Sequence, residues 1–157
     1  MKITFITIGH CSDKSIKELI ERYLKRLKHY TRFEMRELPD IKGVRNLSQE
    51  KQKDLEGKSI LEQVSPGNTL LLLDEGGKEY TSRAFSEMIN KHLVNVTRDL
   101  IFVVCGPYGF SCEVYSRAHG KVSLSQMTFT HEMARLFFIE QVYRAFTIIK
   151  GENYHHD

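Results

Sequence analysis

The sequence predicts an α/β protein, a mostly parallel sheet with helices on both faces. Two observations carry this. Segments of strand character alternate with segments of helical spacing along the whole chain, in the order βαβαβαβαβα. Two of the strands, TLLLL at 69–73 and LIFVV at 100–104, are almost unbroken apolar runs, as in strands buried on both faces. At 157 residues the chain has the length of one domain, spanning 1–157, and can bury a core without disulfides or metal.

Each element has its own signal. Residues 2–8 place Ile3, Phe5 and Thr7 on one side of a strand and Thr4, Ile6 and Ile8 on the other. Residues 13–27 have helical spacing, with Ile16, Leu19, Ile20, Tyr23, Leu24 and Leu27 in one stripe. Residues 32–38 form a second strand, stopped by Pro39, and residues 40–47 a polar loop. Ser48 caps a helix that runs to about Val64, where Pro66-Gly67-Asn68 breaks the chain. After the strand at 69–73 come a helix at 82–94, the strand at 100–104, a short helix at 111–118 and a last strand at 122–124. A long apolar helix, from about His131 to Lys150, follows.

Composition excludes several classes. Hydrophobic residues at 41% and charged residues at 27% are ordinary for a soluble globular protein. A net charge of +3 permits contact with a polyanion without requiring one. Cys11, Cys105 and Cys112 are odd in number and lack metal-site spacing, which fits a reducing, cytoplasmic compartment. MKITFITIGH alternates like a strand rather than a secretory leader, so the sequon Asn95-Val96-Thr97 carries no meaning. The apolar stretch at 136–149 is interrupted by Glu140, Gln141 and Arg144 and is too short to span a bilayer.

In such sheets ligands bind at the carboxyl ends of the strands. Three loops fall there: LDEGGK at 73–78, CGPYGF at 105–110 and the irregular SLSQMTF ending at 129. The turn after the first strand, IGHCSD, lacks the glycines of a dinucleotide site. Gly76-Gly77-Lys78 lacks P-loop spacing, and His131-Glu132 lacks the second histidine of a zinc protease, where this chain has Arg135. What remains is a pocket of backbone and small polar groups, with Gly106 and Gly109 letting a ligand approach the main chain. The same glycines also suit a plain turn between strand and helix. KRLKHYTR at 25–32 reads as a solvated helix face with a possible use against RNA phosphates.

The last helix is apolar over more than one face, and a second copy of the chain is the economical cover. Glu140 and Arg144, spaced i,i+4, can pair with each other. Tyr154, His155 and His156 form a polar tail able to stack on a base and handle its proton.

SLSQMTFTH, EQVYRAF and GENYH, with MKITFITIGH, LLLLDEGGKEYTS and FVVCGPYG, resemble the ribosomal RNA large-subunit methyltransferase H family over essentially the whole chain. The resemblance implies a minimal SPOUT-class fold with a C-terminal trefoil knot, which periodicity cannot show. It implies a homodimer, S-adenosyl-L-methionine as methyl donor with no metal, and a pseudouridine N3 in 23S rRNA of the assembled ribosome as acceptor. By the family pattern the donor site is lined by Leu73, Cys105, Gly106, Leu124, Ser125, Gln126, Met127, Thr128 and Phe129. His155 would handle the base's proton, Tyr154 would stack, and Arg144 would meet phosphate or developing charge. The chain departs from the family at Cys105, where members often have glycine, at Thr130, where they usually have proline, and at His156, where they have Arg or Lys. Rival readings are a nicotinamide-dependent oxidoreductase, a non-catalytic ribosome-binding module and a SPOUT enzyme acting on transfer RNA.

Overall fold

A computed structural model describes residues 1–95 and 98–157; Val96 and Thr97, within the sequon, lie outside the described residues. Five strands form one sheet: β1 (Lys2–Ile8), β2 (Arg32–Leu38), β3 (Thr69–Glu79), β4 (Leu100–Val104) and β5 (Gly120–Ser123). Their order is β2-β1-β4-β3-β5, and every neighbouring pair is parallel. The helices are α1 (Lys14–Leu27), α2 (Gln49–Leu61), α3 (Ser82–Asn95), α4 (Cys112–Arg117) and α5 (His131–Ile149).

The period of two in the strands sorts the core into two layers. Ile3, Phe5, Leu71, Leu73, Phe102 and Val104 face a cluster that α1, α3 and α5 complete with Leu27, Ile89, Phe138 and Val142. Ile6, Ile8, Leu70, Leu72, Ile101 and Val103 face the other way, against Ile60 of α2 and Val114 of α4. Phe138 sits at the centre of the first layer, its ring 4.5 Å from that of Phe5 and 4.8 Å from that of Phe102.

Helix starts follow the capping residues. The Asp13 side chain accepts from Ile16 N–H, Ser48 from Lys51 N–H, Ser111 from Val114 N–H and Thr130 from Met133 N–H. Each such cap is worth about 1 kcal/mol. Thr130 thus starts α5 with a side-chain cap.

The structure corrects the bounds of β3 and β5 and adds a turn after β2. The stretch 73–78 is not a free loop after β3: the strand bulges between Leu73 and Lys78, both of which pair with Val122, and continues to Glu79. Gly77 permits this, since a Cβ there would lie 2.7 Å from Val122 N. The residues between carry no alternation, so the strand's continuation left no mark in the pattern. β5 begins at Gly120 and ends at Ser123, earlier than expected, because Gly120 and Lys121 pair with Leu71 and Leu72. The polar loop after β2 contains a single 3-10 turn at Val44–Asn46.

The apolar girth of α5 is largely accounted for inside one subunit. The sheet covers Phe138, while α1 and α3 contribute to the same cluster. Arg135, 3% exposed, reaches to the strand ends: its Nη2 donates to Ile8 O at 2.6 Å and its Nη1 to Glu37 Oε2 at 3.3 Å. Among the described residues no helix is long and apolar enough to cross a membrane.

Candidate active site

The carboxyl ends of β4, β3 and β5 lie side by side, and a cleft of about 380 Å³ opens there beside the start of α5. Leu73, Cys105, Gly106, Leu124, Ser125, Met127, Thr128 and Phe129 all line it, so distant sequence segments meet in one place. Gln126, the remaining expected residue, is exposed and does not line the cleft.

The loop from β5 to α5 is shaped by its own side chains. Ser125 Oγ accepts from Met127 N–H at 3.0 Å, a serine turn, while Ser123 Oγ donates to Ser125 O at 3.1 Å. Thr128 Oγ1 donates to Glu75 Oε1 at 3.0 Å, tying this loop to the β3 bulge. Among the described residues, 125–129 make no main-chain to main-chain hydrogen bond. Apart from Met127 N–H and Ser125 C=O, which those two serine hydroxyls take, their main-chain groups have no hydrogen-bond partner among the described residues and remain for water or a ligand.

The facing turn uses glycine at two positions for different reasons. Gly109 has φ +88, a conformation that favours glycine, and no atom lies within 4 Å of where its Cβ would be. Gly106 has no positive φ, but a Cβ there would lie 2.3 Å from Glu56 Oε2. Cys105 does not adopt positive φ either, so a side chain at that position is tolerated. Burial, followed by the nearby Asp74 carboxylate, pushes the Cys105 thiol up to about 11, so it stays protonated at neutral pH.

Sequence reasoning missed several cleft residues: Asp74, Glu75, His131 and Ala134 also line it. The signal was present for the first two, an acidic pair directly after an apolar strand. Asp74 is fully engaged, its Oδ1 accepting from Gly76 N–H at 2.7 Å and its Oδ2 from Tyr115 OH at 2.5 Å. Burial, with this hydrogen bond to Asp74, raises the Tyr115 phenol above its ordinary range. The cleft therefore offers apolar walls, unpaired main-chain groups and negative charge. That suits an organic ligand with apolar and cationic parts. Among the described residues no cluster of three His, Cys, Asp or Glu side chains is arranged to hold a metal.

Arg144, Tyr154 and His155 are brought together, but elsewhere. Arg144 Nη2 donates to Glu140 Oε1 at 2.5 Å, and Tyr154 OH donates to the same oxygen at 3.0 Å. The guanidinium lies 4.8 Å from the centre of the Tyr154 ring. Arg144 Nη1 faces His155 Nδ1 at 3.3 Å, and His155 Nε2 lies 3.1 Å from Asp157 Oδ1. A guanidinium can only donate, so Nδ1 is the acceptor and Nε2 carries the proton given to Asp157. Asp157 in turn binds Arg83, whose Nε donates to its Oδ1 at 2.7 Å. His156 is exposed.

The cluster and the cleft occupy opposite ends of α5. Ala134 belongs to the cleft and Arg144 to the cluster, about 15 Å apart along the helix axis. At the cleft end, Met127 and Phe137 are 75% and 39% exposed, and the Phe137 ring lies 4.9 Å from that of Phe129. The basic segment at 25–32 spans the end of α1 and the turn into β2; Lys25, Arg26, Lys28, His29 and Arg32 are exposed, and Arg26 lies 5.4 Å from the Tyr23 ring centre.

A family model described as "Predicted SPOUT methyltransferase" matches residues 1–155. A protein of Parabacteroides distasonis is 53% identical over 157 residues, covering 100% of both chains. One from Flavobacterium psychrophilum is 51% identical over 156 residues, 99% of each chain, and one from Bacteroides fragilis is 45% identical over 157. Each of these relatives is named "Ribosomal RNA large subunit methyltransferase H".

Proposed function

The chain belongs to the SPOUT methyltransferase family, among the ribosomal RNA large subunit methyltransferase H proteins, and from that premise we propose that it methylates N3 of a pseudouridine in 23S rRNA of the assembled ribosome. The methyl donor in this reading is S-adenosyl-L-methionine, and the working unit is a cytoplasmic homodimer. The observation that carries the proposal is the cleft, assembled from the three segments that bear the family motifs.

The residues fit such a donor. Leu73, Val104, Leu124 and Ala134 give apolar wall to an adenine ring, and the main-chain groups of 125–129 suit its polar edge. Asp74 and Glu75 add negative charge beside a sulfonium. When bound, the donor supplies a methyl group already activated for transfer to a nucleophile.

The chain's own residues then have to align the acceptor, exclude water and manage one proton. The ring N3–H of the base must lose that proton for its lone pair to attack. In this reading the acceptor is His155 Nδ1, held in place by Arg144 on one side and by Asp157 through Nε2 on the other. An incoming base that draws Arg144 toward its developing negative charge frees Nδ1 to accept the proton. Arg144 keeps its anchor on Glu140 throughout. Tyr154, braced by Glu140 and by the Tyr143 ring at 4.8 Å, offers a face for stacking.

One subunit keeps these parts apart, so the reading requires the tail of a second copy to approach the cleft. Met127 and Phe137, apolar and exposed at its rim, are the seat for that copy. The trefoil knot of the family belongs to the same reading. The test uses methyl-labelled donor with ribosomes from cells lacking the endogenous activity, beside free ribosomal and transfer RNA. Label on one pseudouridine of the assembled particle is the expected result. Donor binding without transfer to any RNA would instead favour a ribosome-binding module.

A further inference from the structure

Glu56 is a carboxyl group in a place that disfavours charge. It lies on α2, 3% exposed, and its Oε2 has no hydrogen-bond partner among the described residues. The other oxygen accepts from Gln52 Nε2 at 3.0 Å. Among the described residues no lysine or arginine pairs with it. Burial raises its pKa and Asp40 pushes the same way, while the Gln52 hydrogen bond and His131 oppose.

The unpartnered oxygen faces the cleft turn. A Cβ on Gly106 would stand 2.3 Å from Glu56 Oε2 and 2.7 Å from its Cδ, so the Gly106 α-hydrogen points at the carboxyl group. The next residue repeats the fit in reverse. A Cβ on Gly57 would lie 2.3 Å from Ser111 Oγ, the cap of α4. The pair Glu56-Gly57 thus meets the β4–α4 connection at both ends, once with a side chain and once with the space left by its lack. Gly106 is glycine for room rather than for backbone angle, and the group occupying that room is Glu56.

We propose that Glu56 is a positioning residue of the donor cleft: its carboxyl group, wedged under Gly106, sets the path of the main chain that faces the ligand. This rests on the reading of the cleft as the donor site. The wedge itself does not, because it is a property of the turn. The neutral form suits the role, since ionisation would set an unpartnered charge against the turn. The groups facing the carboxyl are Gln52 on α2, Asp40 after β2, His131 on α5 and Cys105 in the turn. Glu56→Gln keeps the shape and removes the titration.

The test reads two quantities. One is calorimetric affinity for S-adenosylhomocysteine, followed across pH. The other is the rate of Cys105 alkylation by iodoacetamide, followed by peptide mass mapping with Cys11 and Cys112 as internal references. Glu56→Ala should weaken binding about tenfold and speed alkylation at Cys105 alone, as expected when a cleft wall shifts. Glu56→Gln should stay within about twofold of the parent at the acidic end of the series, where Glu56 is protonated, and lose the fall in affinity that ionisation of Glu56 adds as pH rises. Gly106→Ala should be harmful by itself and markedly less so combined with Glu56→Ala, because its clash partner is then gone. Unchanged affinity and unchanged Cys105 reactivity in Glu56→Ala would overturn the proposal, as would equal harm from Gly106→Ala in both backgrounds. If the parent protein bound no S-adenosylhomocysteine while the Cys105 effects held, the donor reading would fall and the wedge would stand.

Discussion

The two ends of α5 are built on opposite principles. At its N-terminal end the cleft combines apolar side chains with glycine and main chain, and residues 125–129 make no main-chain to main-chain hydrogen bond among the described residues. At its C-terminal end Arg144, Tyr154, His155 and Asp157 are hydrogen-bonded among themselves or to Glu140 and Arg83. The first end suits a ligand that must be cradled, the second a transient partner that must displace existing contacts. The difference teaches that the two ends lie about 15 Å apart along one helix, the gap that the proposed second copy would have to bridge.

The largest effects should therefore come from separating the ends genetically. His155→Ala should lower kcat by about 10²–10⁴ while donor affinity stays within about twofold, read by single-turnover transfer and calorimetry. Arg144→Ala should cost about 10²–10³ in kcat in the same assay. On the proposed composite-site reading, mixing subunits that carry His155→Ala with subunits that carry Gly106→Ala should restore activity to about a quarter of the parent, because half the dimers would own one sound site. A mixture as dead as its components would place both halves of the site in one subunit and break the comparison.

A change at the shared centre should injure both ends together. Phe138→Ala removes the ring between Phe5 and Phe102 and should cost about 3–5 kcal/mol in denaturant unfolding. Its donor affinity and its kcat should fall in parallel, unlike either end-specific variant. A smaller, one-ended effect is expected from Gly109→Ala. Nothing stands where its Cβ would go, so the cost is the φ +88 backbone alone, about 1 kcal/mol. Donor affinity should weaken a few-fold with the tail chemistry untouched.

The asymmetry also governs what could be read from the sequence. Strands β1 and β4 and the long α5 were legible because buried apolar runs and helical stripes are local patterns. Most of the expected pocket residues from Leu73 to Phe129 do line the cleft, legible through short local motifs, while Gln126 does not line it. Other features depend on tertiary contact and left little trace. The β3 bulge repairs itself beside β5 after Gly77, and nothing in LDEGGKE alternates. Arg135 reads as a failed zinc ligand, whereas its guanidinium closes the ends of β1 and β2. Surplus apolarity on α5 suggested a second subunit, yet α1 and α3 take up most of it. The stronger argument for a second copy, the distance between cleft and cluster, needed coordinates.

The smallest expected effect concerns how the tail end is latched to its own subunit. Tyr30 OH donates to Glu152 Oε2 at 2.6 Å, joining the end of α1 to the segment that carries Tyr154 and His155. The hydrogen bond to Glu152, with burial second, pushes the Tyr30 phenol up to about 12. A raised folded-state value means that the folded protein holds this proton more tightly than the unfolded chain, whose tyrosines titrate near pH 10. The latch therefore contributes its full stability below about pH 10 and loses it as pH rises toward 12. Tyr30→Phe should cost about 0.5–1 kcal/mol at pH 8 and leave folding stability less sensitive to pH over that alkaline window. Hydrogen exchange at Glu152 and Tyr154 should quicken in the variant while amides around Gly106 and Ser125 do not change. Equal quickening at both sites would mean that the latch stabilises the whole subunit, and that the two ends of α5 are less independent than their construction implies.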